Sequence, residues 1–339
     1  MKVIFTNRNE KQVGGKDITL LFLFFLICFF LFCLSSCGKV EEKGEITKVG
    51  LLVEGKVTDQ GWGTQAYKGL LNIQDRYHCD IYYKEYIDSY TVAKRAVEEY
   101  QNKGVNLIFG HGDHFVEYFN DLGDEFPSIH FVSVNGTEQA IKENTTNLHL
   151  ENYSMGFFAG MVAGHITETN SVGIIAVNSG QEEVKGFEDG AKYVNNNITV
   201  IKRFVGNSED NREKALSLWN QEMEQNIDIV YPAGDSFHVD IVEAMKAEGL
   251  YSIGYITNQQ FLGKDTVLTS TVQDIPKLYM QIAERFDEGK LIKGNETFGM
   301  EDDITLLGPC SPKVDKEFIS ELNKAIDYYK KTNKLPNQR

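Results

Sequence analysis

The groups most able to do chemistry in this chain crowd one short stretch, His111-Gly112-Asp113-His114. Two imidazoles and a carboxylate are donors that a transition metal takes. A zinc site wants four ligands, and no further His or Cys is spaced to complete the set. No metal is therefore expected. Asp113 reads instead as a hydrogen-bond acceptor for a small ligand, or as the N-cap of the helix after it. A second stretch, Gly61-Trp62-Gly63-Thr64-Gln65-Ala66, matches the G-x-G-x-x-A pattern of dinucleotide sites. Its context is wrong, because about seven residues separate it from the strand ending at Val53, where that fingerprint needs a tight turn. No cofactor is expected. Trp62 reads as a flat ring at a helix start, able to stack on an aromatic ligand, or as packing between elements. Neither Gly-x-Ser-x-Gly nor His-Glu-x-x-His occurs, and the seven histidines are scattered. With no nucleophile or zinc-protease motif, the chain is not read as an enzyme.

What must position these groups is a repeat. Asn106-Leu-Ile-Phe-Gly-His-Gly-Asp113-His-Phe115 returns as Asp228-Ile-Val-Tyr-Pro-Ala-Gly-Asp235-Ser-Phe237, 122 residues later. Nearly the same offset joins Val49-Gly50-Leu51-Leu52 to Val172-Gly173-Ile174-Ile175, and Gly69 to Gly190. A period this long is not that of a solenoid. It describes two similar lobes in succession. Apolar, β-branched or aromatic runs at 48–53, 80–83, 106–109, 129–134, 172–177, 199–205, 227–231, 252–257 and 266–272 read as strands. Helical patterns lie between them, as in Val92, Ala93, Ala96, Val97 and Tyr100. Strands alternating with helices mean α/β lobes with parallel sheets, whose binding loops lie beyond the carboxyl ends of the strands. Asp113 and its counterpart Asp235 then face one cleft, the usual place for a ligand. Phe115 and Phe237 either face that cleft or bury a helix.

The start of the chain reads as an address. Lys2, Arg8, Lys11 and Lys16 precede 17 uncharged residues, Ile18 to Leu34, and Leu34-Ser35-Ser36-Cys37 follows. A basic region, an apolar run and small residues describe a secretory signal over residues 1–36. The quartet resembles a bacterial lipobox with Cys37 as the lipidated residue; an uncleaved membrane anchor is the other reading. Residues 37–45 are a tether. The net charge of −15 becomes −17 once the leader's four basic and two acidic residues are removed. That sign argues against nucleic acid and against electrostatic adhesion to anionic lipid. Cys79 and Cys310 remain, far apart and without metal spacing, and are expected as free thiols rather than one disulfide.

From Val49 to about residue 335 the chain resembles the basic membrane protein family, lipoproteins that serve as purine-nucleoside receptors of ABC importers. The resemblance rests on the loop Asp59-Gln60-Gly61-Trp62-Gly63-Thr64, the helix motif Gly186-Phe187-Glu188-Asp189-Gly190, the loop Ala233-Gly234-Asp235 and the strand Leu268-Thr269-Ser270. It implies a type I periplasmic-binding-protein fold of two Rossmann-like lobes with a hinge of crossover strands. It puts the family's stacking aromatic on Trp62 and its base-binding acid on Asp113. Four positions depart: Glu54 stands for the first-strand aspartate, Gly63 for an asparagine, Ile256 for an acid and Gln273 for a lysine. Acid and lysine would hold ribose hydroxyls, at about 1–3 kcal/mol per hydrogen bond. A kept cleft with a changed ligand is the expectation, with Trp62, Asp113, Asp235, Glu54, Phe237, Asn258 and Gln273 as its binding residues. The implied role is a membrane-bound solute-binding protein with a small, nucleoside-like ligand and an ABC permease as partners. The alternative is a membrane-anchored sensor that regulates competence genes indirectly. The lobes are expected as 46–150 plus 266–293, and 151–265 plus 294–335.

Overall fold

The structure, a computed structural model, describes residues 45–206, 211–223 and 225–338. The leader, Cys37 and the tether up to residue 44 lie outside the described residues.

Strands β1 (Lys48–Val53), β2 (Asp80–Lys84), β3 (Leu107–His111), β4 (His130–Val134) and β5 (Thr145–Leu150) build lobe 1. Helices α1 (Trp62–Tyr77), α2 (Tyr90–Asn102) and α3 (Phe115–Leu122) alternate with its first four strands. Helix α4 (Tyr153–Ile166) follows. Lobe 2 then repeats the pattern: β6 (Ser171–Ala176), α5 (Glu182–Val194), β7 (Thr199–Phe204), α6 (Asn211–Met223), β8 (Ile229–Ala233), α7 (His238–Ala247), β9 (Tyr251–Gly254) and β10 (Val267–Gln273). Helix α8 (Ile275–Asp287), strands β11 (Gly294–Phe298) and β12 (Thr305–Leu307), and helix α9 (Lys316–Thr332) complete the chain. Among the described residues, no helix is long and apolar enough to cross a membrane.

The two sheets run β11-β5-β4-β3-β1-β2 and β12-β10-β9-β8-β6-β7. Without the edge strands β11 and β12 the orders are identical. Every pairing is parallel except that of β12, which runs antiparallel to β10. The 122-residue offset separates Leu107 from Ile229 at the starts of β3 and β8, and Thr145 from Val267 at the starts of β5 and β10. Central strands are buried from end to end, as parallel sheets covered on both faces must be.

The helix after each sheet's fifth strand crosses over. Helix α4 leaves β5 and packs on α5 of lobe 2, and α8 leaves β10 and packs on α1 of lobe 1. Strand β11 then joins sheet 1, and β12 joins sheet 2. This corrects the expected boundaries. Val267–Gln273 completes sheet 2 as the repeat of β5, so the chain crosses after that strand rather than before it. Gly294–Phe298 belongs to sheet 1, not to lobe 2. Three connections therefore link the lobes, at residues 151–152, at Asp274 and at 299–304.

The crossing helices differ in how they dock. Helix α4 is buried from Ser154 to Gly164 and meets α5 glycine to backbone. A Cβ on Gly160 would lie 2.0 Å from the Phe187 carbonyl oxygen, and one on Gly190 1.8 Å from that of Phe157. In lobe 1 the repeat-equivalent Gly69 faces a side chain, and its Cβ would meet the Tyr279 ring at 2.8 Å. Cys79 and Cys310 are both free thiols, and burial raises the pKa of each.

Candidate functional site

A cleft of about 1080 Å³ lies between the lobes at the carboxyl ends of their strands. Glu54, Trp62, Asp113, Asp235 and Gln273 all line it, as does Ile256. Phe237 and Asn258 do not. Phe237, 1% exposed, packs in the lobe 2 core with Ile241 and Met245, its ring against Gly234. Phe115 is buried in the same way in lobe 1. Both aromatics bury the start of a helix, because the strand-to-helix turn aims them into the layer under the sheet. Asn258 is exposed, and its amide oxygen accepts from the Gln260 N–H at 3.2 Å. The residue after it, Gln259, is structural: its side chain accepts from the Tyr255 N–H and meets His238 Nδ1.

Trp62 begins α1, and its place is set by the loop before it. The Asp59 carboxylate accepts from the N–H groups of Gly61, Gly63 and Thr64 at 2.7–2.9 Å, satisfying the free donors of the first turn. Gly63 is required there, since its Cβ would lie 2.2 Å from the Lys56 carbonyl oxygen. The Trp62 N–H is taken by Asp235 Oδ1 of lobe 2 at 3.0 Å. The helix start that resembled a phosphate cradle is thus filled by the protein's own carboxylates.

One face of the Trp62 indole stacks on His111, with ring centroids 3.9 Å apart. His111 Nε2–H donates to the Trp62 carbonyl oxygen at 3.1 Å, and Nδ1 accepts from the Tyr279 hydroxyl at 2.9 Å. Burial pulls His111 down to about 3, so the ring is neutral. His111 is the platform beneath the tryptophan and takes no part in a metal cluster. The sequence carried no signal for this role, which the fold creates by turning His111 inward at the buried end of β3.

Asp113 and His114 form the exposed rim. His114 holds the N-cap position of α3 without a side-chain cap bond, so Asp113 does not cap that helix. Their side chains lie 3.5 Å apart, and Glu54 from the end of β1 completes a cluster with one donor atom from each residue within 4.8 Å of the others. Gly112, at φ +151°, lets the chain pass the Glu54 carboxyl, which a Cβ would meet at 2.4 Å. Burial and then the Asp113 charge push Glu54 up to about 7. On the other lobe, burial and the Asp59 charge push Asp235 up to about 7 as well.

Two further features fell outside the sequence reading. Ile256 sits at φ +64°, in a turn where Thr257 N–H donates to the Tyr255 carbonyl oxygen at 2.7 Å. A β-branched residue in that region is strained, and such strain gathers at ligand clamps. His149 of β5 also reaches Glu182 at the start of α5, 3.6 Å away, pairing the lobes a second time.

Residues 46–339 match the family model described as ABC transporter substrate-binding protein PnrA-like. The chain belongs to this family. It is 42% identical over 306 residues to the transcriptional activator protein med of Bacillus subtilis, covering 90% of this chain and 96% of the relative. Basic membrane protein D of Borreliella burgdorferi is 26% identical over 292 residues, 83% of each chain. Among solved structures, a transcriptional activator of the comK gene from Bacillus halodurans matches with TM-score 0.79 and 44% identity, over 85% of this chain and 99% of that one. A solute-binding protein of an ABC transporter system from Aeropyrum pernix matches with TM-score 0.68 at 17% identity, over 86% of this chain and 81% of that one. That likeness shows the shared periplasmic-binding-protein fold.

Proposed function

We propose that this chain is a solute-binding protein that closes its two lobes on a small ligand and presents it to an ABC permease. The lipobox supports anchoring outside the cytoplasm through lipid on Cys37. The observation that carries the reading is the cleft itself: a tryptophan held on a histidine platform, with carboxylates reaching in from both lobes. Trp62 stacks on the ligand, and Asp113 and Glu54 accept its hydrogen bonds. Nucleoside-like molecules are the first class to test, because the aromatic and the rim acid are both present. A ligand that binds only the native state raises the melting temperature. A saturable rise with a nucleoside or related metabolite supports the reading; no shift across a broad screen contradicts it.

A second reading is favoured by the 42% and 44% identical relatives, both named as transcriptional activators. Here the same cleft serves a sensor whose output is a partner membrane protein. An acidic chain makes a poor direct partner for DNA phosphates, so any effect on a gene is indirect. Crosslinking in intact membranes separates the two readings. A permease as the main adduct supports transport, whereas a kinase or protease without a permease supports sensing.

A further inference from the structure

Among the described residues, six carboxylates line the cleft: Glu54, Asp113, Glu138, Glu182, Glu183 and Asp235. None of the described lysines or arginines lines it, and its two histidines are each beside an acid, His114 near Asp113 and His149 near Glu182. A cleft with low-dielectric walls and one sign of charge focuses its field and concentrates the opposite sign. The second observation is independent of charge. Gln273 is 4% exposed and fixed by its own Nε2–H, which donates to Asn152 Oδ1 at 2.9 Å, yet its Oε1 has no partner among the described residues. Glu54 Oε1, on the opposite lobe, is likewise buried without a partner. A buried acceptor left unmade is costly, and both of these line the cleft. Each wants a donor. Trp62 lines the same cleft, and an aromatic face attracts a cation as well as a flat ring.

Resting on the solute-binding reading, we infer that the ligand is an organic cation bearing N–H donors. Its charge answers the carboxylates, its donors reach Glu54 Oε1 and Gln273 Oε1, and its flat or aliphatic body lies on Trp62. The raised pKa of Glu54 and of Asp235 comes first from burial and then from a neighbouring carboxylate, Asp113 and Asp59 respectively, and a bound cation would favour the charged form of each. A metal ion uses the Glu54, Asp113 and His114 donors alone and leaves the Gln273 amide and most of the cleft unused.

The test is calorimetric titration of the full chain in detergent at neutral pH. The probes are 1-methyladenosine and agmatine as cations, adenosine as the neutral counterpart, adenosine 5′-monophosphate as the anion, and calcium and zinc salts. The inference expects a cationic probe to bind about tenfold or more tighter than adenosine, and Glu54→Gln to cost that cation about tenfold or more. It expects no binding of the monophosphate. Adenosine or its monophosphate binding as tightly as the cations overturns the cation class and leaves solute binding standing. Binding of a metal ion without any organic cation overturns it in favour of a metal site. If no probe binds, the inference falls, and the broad melting-temperature screen decides the solute-binding reading separately.

Discussion

Asp113 and Asp235 are the same residue of a repeat, yet the two lobes use them differently. Asp113 stands exposed on the rim of the cleft beside Glu54 and His114. Asp235 is folded into the junction between the lobes, where its carboxyl takes the first N–H of α1 from across the cleft. One copy is free for a ligand, and the other joins the lobes. Duplication supplies two acids at strand ends; the loop opposite decides which becomes a latch. In lobe 1 that loop carries Gly61, whose missing side chain lets Asp235 Oδ1 approach to 2.2 Å from where a Cβ would stand.

The lobes can be told apart most forcefully through the glycines they share. Gly190→Ala drives a Cβ into the Phe157 carbonyl, whereas Gly69→Ala meets the Tyr279 side chain, ring and Cβ. Overpacking costs about 1–3 kcal/mol. Gly190→Ala is expected near the top of that range, and Gly69→Ala near the bottom, offset by the better helix propensity of alanine. Denaturant midpoints check this, and equal losses break the distinction between backbone and side-chain docking. Asp113→Asn comes next. It is expected to weaken an organic cation such as agmatine about tenfold, the loss of one charged hydrogen bond, while leaving lobe closure unchanged by small-angle scattering. Gly61→Ala does the reverse: it places a methyl group where Asp235 docks, so scattering is expected to show a wider molecule while the lobes keep their stability.

Much of this was legible in the chain. The repeat gave two like α/β lobes facing a cleft, and β1 lies where its apolar run placed it. Strand β5 was missed because Thr145-Thr146-Asn147-Leu148-His149-Leu150 is half polar. Its Asn147 serves the loop above, accepting from the Gly136 N–H and Ser133 hydroxyl, a demand set by distant residues. Strands β11 and β12 are short edges whose pairing partners lie far off in sequence. Trp62 and Asp113 were readable because special residues stand beside glycine turns. Phe237 misled because spacing tells how far a residue is from Asp235 but not to which side of the turn it points. His111 was read as part of a metal-like cluster, because only the fold reveals that it turns inward under Trp62.

The latch also carries a pH dependence with a fixed sign. An exposed aspartate titrates near 4, and in the closed form Asp235 is pushed up to about 7 by burial and the Asp59 charge. Closure therefore takes up a proton between those values, is favoured by acid, and weakens as pH rises through about 7, by up to about tenfold per unit. The His149–Glu182 pair acts in the same sense, because the hydrogen bond to Glu182, and after it the charge attraction, raises the imidazole pKa and is lost once the ring deprotonates.

The most direct test is small-angle scattering of the wild type, Asp235→Asn and Asp235→Ala, each with no added ligand, from mildly acid to mildly alkaline pH. Asparagine keeps an oxygen for the Trp62 N–H without the charge, and alanine keeps neither. The latch requires Asp235→Asn to stay compact at alkaline pH, the wild type to match it only in acid, and Asp235→Ala to be the widest of the three at acid pH. Three proteins of equal dimensions at every pH would contradict it.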